Sequence, residues 1–308
     1  LVKKDFPKMN QDLTNKKTIQ NNKNTSAKIR NQKIAFGVFG GISSLVVFIL
    51  FGILIFIFIK GIPAISWSFL TEAPKNGMME GGIFPAIVGT FILVIASMIF
   101  AFPIGVASAI YTTEYLKDGP VKNFIAMMTN NLAGVPSIVF GLFGMSLFVN
   151  QLGFGDSIIA GSLTLGLLAL PVIIRTTEEA LKSIDDSYRT ASLALGASKW
   201  QTISKIILPM AFPNILTGLI LSIGRVSGET APILFTVAAY FLPKLPHSIY
   251  DQVMALPYHL YVIATSGTNL EQSRKVAYGT ALVLITIVLI ANLTAGYIRK
   301  RAGNKQRG

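Results

Sequence analysis

No cysteine occurs among the 308 residues, and only two histidines, His247 and His259. The first absence excludes disulfides, thiolate metal sites and cysteine nucleophiles. The second leaves too little imidazole for a His-rich metal centre. Charge is scarce as well: 13% of the residues are charged, against roughly 25% in an ordinary soluble domain. Acidic residues are the scarcer sign, 14 against 27 basic ones, for a net charge of +13. No Gly-x-x-x-x-Gly-Lys-Ser/Thr phosphate loop is present, so ATP chemistry of that kind would have to reside in another chain. What the chain does have is apolar sequence, 52% of it, with a mean hydropathy of +0.58. Several apolar runs reach the roughly 20 residues that cross a bilayer as helix.

Six such runs, 34–59, 83–110, 126–149, 158–176, 210–241 and 275–298, predict an all-α, polytopic membrane bundle of six transmembrane helices. Pro85, Pro103, Pro136 and Pro171 lie in or near these runs, and Pro213 and Pro232 mark places where the long fifth run could break. In lipid, the backbone groups freed by proline need partners on neighbouring helices, which favours a packed bundle. An even number of spans puts both ends on one side. With the ends inside, 21 Lys and Arg fall on the cytoplasmic side, five fall outside, and Arg225 is left over. The orientation predicted is therefore N-in, C-in, and the positive charge is a topological signal rather than a nucleic-acid footprint. Residues 1–33, rich in Lys, Asn and Gln, predict a disordered basic cytoplasmic tail ahead of a membrane domain over 34–300, with a second short tail over 301–308. The first apolar run begins late and is too long for the core of a cleavable signal peptide, so none is expected.

One stretch breaks the apolar pattern. "IGRVSGETAP", residues 223–232, puts Arg225 and Glu229 inside the fifth run, where an unpaired Arg costs on the order of 3 kcal/mol. At 100° per residue Gly218, Ser222, Arg225, Glu229 and Pro232 share a stripe, with Leu216, Leu219, Ile220 and Ile223 opposite. One reading is an internal ion pair that fixes the helix in register. The other is an anion site, since a planar guanidinium fork suits a tetrahedral oxyanion. A neighbouring carboxylate tolerates such an anion only if the anion brings a proton to donate. Inorganic phosphate near neutral pH does so and sulfate does not, so Glu229 would discriminate between them. Arg175, at the inner end of the fourth run, reads either as an interfacial anchor or as an inner way-station for the same anion.

The most polar internal segment is 177–209, "TEEALKSIDDSYRTASLALGASKWQTISKIILP". Leu193, Gly196, Trp200 and Ile203 recur there at helical spacing, Gly196 offers a bend between two short helices, and Pro209 marks the start of the fifth span. Asp185 and Asp186 read as solvated charge, and His247, Tyr258 and His259 as part of an outer docking surface or of loop packing.

This loop resembles the EAA loop of ABC importer permeases, whose pattern is Glu-Ala-Ala, three residues, Gly, nine residues, Ile, one residue, Leu-Pro. Gly196, Ile206, Leu208 and Pro209 match it, while Thr190, Ala191 and Ser192 stand where the family has Glu-Ala-Ala. The blocks "GGIFPAIVGT" (81–90), "LALPVIIRTTEEAL" (168–181), "LALGASKWQTISKIILP" (193–209), "GRVSGETAPILFT" (224–236) and "MALPYHLYVIATS" (254–266) resemble, in order, the PstA family of permease subunits of phosphate-specific ABC importers. The resemblance implies a MetI-like fold in a prokaryotic plasma membrane and half of a pathway for inorganic phosphate. It implies a PstC-like partner permease, a PstB-like ATPase dimer that binds ATP and Mg, and a PstS-like phosphate-binding protein. The loop would then be a coupling helix seated in the ATPase, with Trp200 as a candidate anchor, and the chain itself would hold no cofactor, metal or catalytic residue. Two other readings stand beside it: a permease for another oxyanion such as sulfate or molybdate, and a scaffold that reports phosphate status.

Overall fold

A computed structural model describes residues 6–78, 80–267 and 270–305. The chain forms two compact units, one up to Ile57 and one from Phe58 onward. The first is the body of helix α1 (Phe6–Gly61). Its residues 6–33 are helical where the sequence predicts disorder. Lys, Gln, Leu and Ala favour helix, and between Pro7 and Gly37 no proline or glycine interrupts the run. Residues 1–5 and 306–308, the outer parts of the two predicted tails, lie outside the described residues. Most apolar side chains of this unit from Ile34 onward are exposed, the all-round apolar surface of a membrane-crossing helix.

The second unit begins with a 3₁₀ turn (Ile62–Ala64), α2 (Trp67–Thr71) and a two-stranded antiparallel hairpin, β1 (Pro74–Lys75) with β2 (Glu80–Gly81). Then come α3 (Phe84–Ile110), ending in a π-helical turn over Tyr111–Tyr115, α4 (Pro120–Ala133) and α5 (Ser137–Gly144). Helix α6 (Ile158–Lys182) leads into α7 (Asp186–Ala194) and α8 (Lys199–Thr202). A second π turn, Ile203–Ile207, joins α8 to α9 (Leu208–Ser227). Short α10 (Ala231–Leu234), α11 (Leu256–Ser266) and α12 (Leu270–Lys305) complete the chain.

Among the described residues, five helical stretches are long and apolar enough to cross a membrane: 32–64, 84–115, 158–182, 199–227 and 270–297. The protein is an all-α, multi-pass membrane bundle. Two predicted spans need correction. The third, 126–149, is two helices, α4 and α5, bent by 99°. Pro136 lacks an N–H and disfavours helical backbone at Val135, so the chain breaks there after Gly134. The fifth, predicted over 210–241, instead starts at Lys199 and ends at Ser227. The ring of Pro232 would crowd the carbonyl of Gly228 four residues earlier, which favours ending the helix ahead of it. Pro213, the other predicted break, sits inside continuous helix.

The core of the second unit is the seam between α3 and α6. Gly105 lies against Ile173 and Gly166 against Phe100, so that a Cβ added to either glycine would come within 2.6 Å of the facing side chain. Leu93, Val94, Met98, Leu165 and Ile173 fill the seam around them, and α9 packs on it through Gly218, which faces Thr176. The segment after α10 turns back over the start of α6. Carbonyls of Thr236, Asp251 and Ile249 accept from the N–H groups of Ser157, Ile158 and Ile159, donors that a helix start otherwise leaves unpaired. Helix α11 seats Val262 and Ile263 against Phe69, Met78 and Ile83. His259 is buried there, and neither ring nitrogen has a hydrogen-bond partner among the described residues. That burial lowers its pKa from 6.5 to about 4.

Two outcomes follow. Gly89 faces the Met254 carbonyl so closely that an added Cβ would lie 2.0 Å from it. Gly89→Ala is expected to destabilise the bundle by about 1–3 kcal/mol, seen as a lower melting temperature in detergent, whereas Gly41→Ala, with open space around it, leaves it unchanged. As pH falls from 6.5 toward about 4, the unfolded chain takes up a proton at His259 that the folded chain does not, so stability declines across that window. His259→Leu should flatten the decline, and an unaltered slope would contradict the assignment.

Candidate functional site

The break after α9 positions the pair that stood out in the sequence. Arg225 occupies the last turn of α9, Gly228 caps the helix, and the N–H of Glu229 bonds to the Val226 carbonyl. Glu229 is therefore beyond the helix rather than on it, as the i,i+4 reading assumed. The two charges still meet: Arg225 Nε donates to Glu229 Oε1 at 3.4 Å. Glu229 is the more buried partner, with 17% of its side chain exposed against 38% for Arg225. That contact engages only Nε, and the two terminal nitrogens of Arg225 make no hydrogen bond among the described residues.

Glu229 borders a small cavity of about 10 Å³ together with Thr90, Val94, Leu165, Ser227 and Ala255, room for at most about one water. The stripe is split, with its small members inside and Arg225 exposed. Gly218 and Ser222 are buried and Pro232 is buried behind the break. The Ser222 hydroxyl has no partner, so it lies within the packing beneath Arg225 rather than on an open surface.

Arg175 is engaged differently. Its Nη2 donates to Asn130 Oδ1 on α4 and, at 3.4 Å, to the Ala126 carbonyl, while Nη1 lies 3.5 Å from Glu178 Oε2. Glu178 is buried and also accepts from Thr112 Oγ1 at 2.8 Å, with Lys182 Nζ 3.9 Å away. This guanidinium holds α4 to α6, and Thr112 on Glu178 ties the end of α3 to the same helix.

The 177–209 segment is a helix–turn–helix. Helix α6 runs on to Lys182, and Asp185 caps α7 by accepting from the Ser187 N–H; the Ser187 side chain and then this N–H lower the carboxyl's pKa. Gly196 makes the turn at φ +84°, a left-handed conformation open to glycine at little cost. Ser198 and Gln201 form a reciprocal cap at the start of α8. Thr190 is exposed, its hydroxyl returned to the Asp186 and Ser187 carbonyls; Ala191 is exposed; Ser192 is buried and shares a 2.9 Å hydrogen bond with Thr202. The predicted stripe of Leu193, Gly196, Trp200 and Ile203 does not form one face. Ile203 is buried with Ile207, whereas Leu193, Leu195 and Trp200 point out, Trp200 at 60% exposure. Ile206 and Leu208 pack beside Ile207 and Ala211. Pro209 does not open the span but lies within a helical run that began at Lys199. Its ring excludes the carbonyl of Lys205, and the preceding turn widens to π geometry, with the Leu208 N–H reaching back to Ile203.

Sequence reasoning missed one constellation. Arg189, just before the EAA-like triplet, clasps Glu114 in the π turn of α3. Nε lies 3.3 and 3.2 Å from the two carboxylate oxygens and Nη2 lies 2.7 Å from Oε1. The bonds to Glu114, strongest among its surroundings, raise the Arg189 pKa further above its usual value. An acidic residue closing the apolar run 83–110 was the only hint. Its partner lies 75 residues away, a distance no local pattern spans.

Comparison with known proteins places this geometry. Residues 101–304 match the family described as the binding-protein-dependent transport system inner membrane component. The chain is 35% identical over 278 residues to the probable ABC transporter permease protein YqgI of Bacillus subtilis, covering 86% of this chain and 94% of that one. It is 40% identical over 247 residues to phosphate transport system permease protein PstA 1 of Mycobacterium tuberculosis, covering 78% and 77%. Among solved structures, the backbone resembles that of a bacterial alginate ABC transporter in complex with its pentasaccharide-bound periplasmic protein, with a TM-score of 0.62, 16% identity and coverage of 93% and 97%. It also resembles the inward-facing MetNI methionine ABC transporter, with a TM-score of 0.56, 17% identity and coverage of 71% and 97%. At these identities the likeness is one of fold, and it is the MetI-like permease fold.

Proposed function

Because the chain belongs to the family of binding-protein-dependent transport system inner membrane components, we propose that it is a permease subunit of an ATP-driven importer of inorganic phosphate in a prokaryotic plasma membrane. The 33–40% identity to proteins named as phosphate permeases supports the choice of solute. The observation that carries it is the state of Arg225. Arg189 and Arg175 have their terminal nitrogens committed to protein partners, while those of Arg225 make no hydrogen bond among the described residues. A guanidinium that is always charged and has free N–H groups at a bundle break is a receptor for an oxyanion.

In this reading the terminal nitrogens of Arg225 donate to phosphate oxygens, and a phosphate hydroxyl donates to Glu229. Sulfate, with no proton to offer, meets the carboxylate as like charge. The cavity beside Glu229 admits about one water, so room for the anion opens only as α9 parts from α3 and α11. Arg175 would serve as an inner way-station only by exchanging Asn130 and Glu178 for the anion. With the N-in, C-in orientation, residues 177–209 face the cytoplasm. There the exposed Leu193, Leu195 and Trp200 offer an apolar surface to a PstB-like ATPase dimer that binds ATP and Mg. A PstC-like permease would complete the pathway and a PstS-like protein would deliver phosphate from outside.

In reconstituted vesicles, Arg225→Ala and Glu229→Ala should each slow phosphate uptake by about tenfold or more, the equivalent of losing one charge-assisted hydrogen bond of about 1.5–3 kcal/mol, with the complex still assembled. Excess sulfate should leave wild-type uptake unaffected. Strong competition by sulfate would point to a permease for another oxyanion, and normal uptake by both variants would remove the site assignment. A photoreactive residue at position 200 should capture the ATPase subunit; recovery of uncrosslinked ATPase from an intact complex would refute the docking surface.

A further inference from the structure

Arg189 uses every hydrogen-bond donor it has. Nε and one N–H of Nη2 go to Glu114, the other N–H of Nη2 to the Leu181 carbonyl at 2.9 Å, and Nη1 to the Ile184 carbonyl at 2.9 Å and Asp186 Oδ1 at 3.0 Å. One side chain thus joins the end of α3, the end of α6 and the first arm of the helix–turn–helix. The Glu114 side chain is only 7% exposed and that of Arg189 18%, so neither charge is freely solvated and removing one would strand the other. A surface ion pair that merely decorates a loop has neither property.

The second arm reaches the same turn. Lys199 Nζ sits 5.0 Å from the centre of the Tyr115 ring, within cation–π range. The Ser192–Thr202 hydrogen bond ties the two arms together beneath the Gly196 turn. One residue pair back, Thr112 in the same π turn bonds to Glu178 of α6. Residues 111–115 are therefore gripped by α6, α7 and α8 at once. Helix α3 closes on a turn of π rather than α geometry, a local distortion that is often retained at working sites.

We propose that the Tyr111–Tyr115 turn is the receiver of the coupling loop's movement, with Glu114 and Arg189 as the positioning residues that make loop and α3 move as one body. This rests on the reading of 177–209 as the ATPase-docking loop. Helix α3 carries Thr90, Leu93 and Val94, which line the small cavity beside Glu229. Some 24 residues of helix, about 36 Å at 1.5 Å per residue, link that cavity to the joint. The α3–α6 seam, locked by Gly105 on Ile173 and Gly166 on Phe100, resists slipping between them. A shift applied at Glu114 therefore arrives at the wall of the cavity that must open.

The test uses the full complex in lipid nanodiscs and vesicles, with its ATPase and phosphate-loaded binding protein. Three quantities are read: ATPase copurifying with the permease, ATP hydrolysed, and phosphate moved per ATP. Arg189→Ala should retain the ATPase and hydrolyse ATP while the phosphate-to-ATP ratio falls at least about fivefold, the lower bound of a typical coupling between sites. Arg189→Lys keeps a charge for Glu114 but loses the fork to the two carbonyls, and should give an intermediate ratio. A purely structural role would lower both activities in proportion to assembled complex and leave the ratio at the wild-type value, which would overturn the inference. If Arg189→Ala does not assemble, Glu114→Gln, equal in shape and lacking the charge, decides by the same ratio. A wild-type complex whose loop does not bind the ATPase would instead overturn the reading on which the inference rests. Coupled wild type and equally coupled variants overturn the inference alone.

Discussion

The interlock of α3 with α6 is the contact on which the rest of the second unit depends. Glycine on one helix meets a large side chain on the other twice, Gly105 with Ile173 and Gly166 with Phe100, so the two axes approach closely and in one register. In a membrane, where lipid is as apolar as the side chains, such close packing takes over the role that hydrophobic burial plays in water. Everything functional is hung from this pair. Helix α9 lies on it through Gly218 and Thr176, the segment after α10 caps the start of α6, and α7 is fastened to its other end.

Three guanidiniums placed along this frame are held in three different conditions. Arg189 is saturated by a buried carboxylate and two backbone carbonyls; Arg175 is shared between Asn130 and Glu178; Arg225 has one long contact and an open fork. A charge withdrawn from water without full compensation is costly. The saturated one suits a joint that must not slip. The open one stands where a mobile anion could supply what the protein withholds, and in the proposed reading that difference separates structural from transport residues.

Much of this was legible in the chain. Apolar runs marked the membrane class, and the single Arg and Glu within one of them marked the unusual place. Gly196 was correctly read as the turn between two helices, because its left-handed backbone follows from a local glycine between amphipathic segments. Other features were misread for identifiable reasons. Residues 126–149 looked like one span because composition does not register a 99° bend, though Pro136 was its cause. Glu229 was placed on a helix because i,i+4 arithmetic assumes that helix continues, and Pro232 ends it. The Leu193–Ile203 stripe failed because the turn at Gly196 resets the helical phase between its members.

Composition and periodicity by themselves determined that this is a helical membrane protein, and Gly196 marked the turn between the two short helices of its most polar internal segment. Those properties are local, since apolar length and turn residues act on the chain within a few residues of where they stand. Only the tertiary structure decided that Glu114 meets Arg189, that Thr112 meets Glu178, and that Ser222 lies buried beneath Arg225. Such pairings depend on how far two rigid helices are shifted and rotated against each other. The packing of Gly105 on Ile173 sets that geometry, and one-dimensional pattern does not carry it.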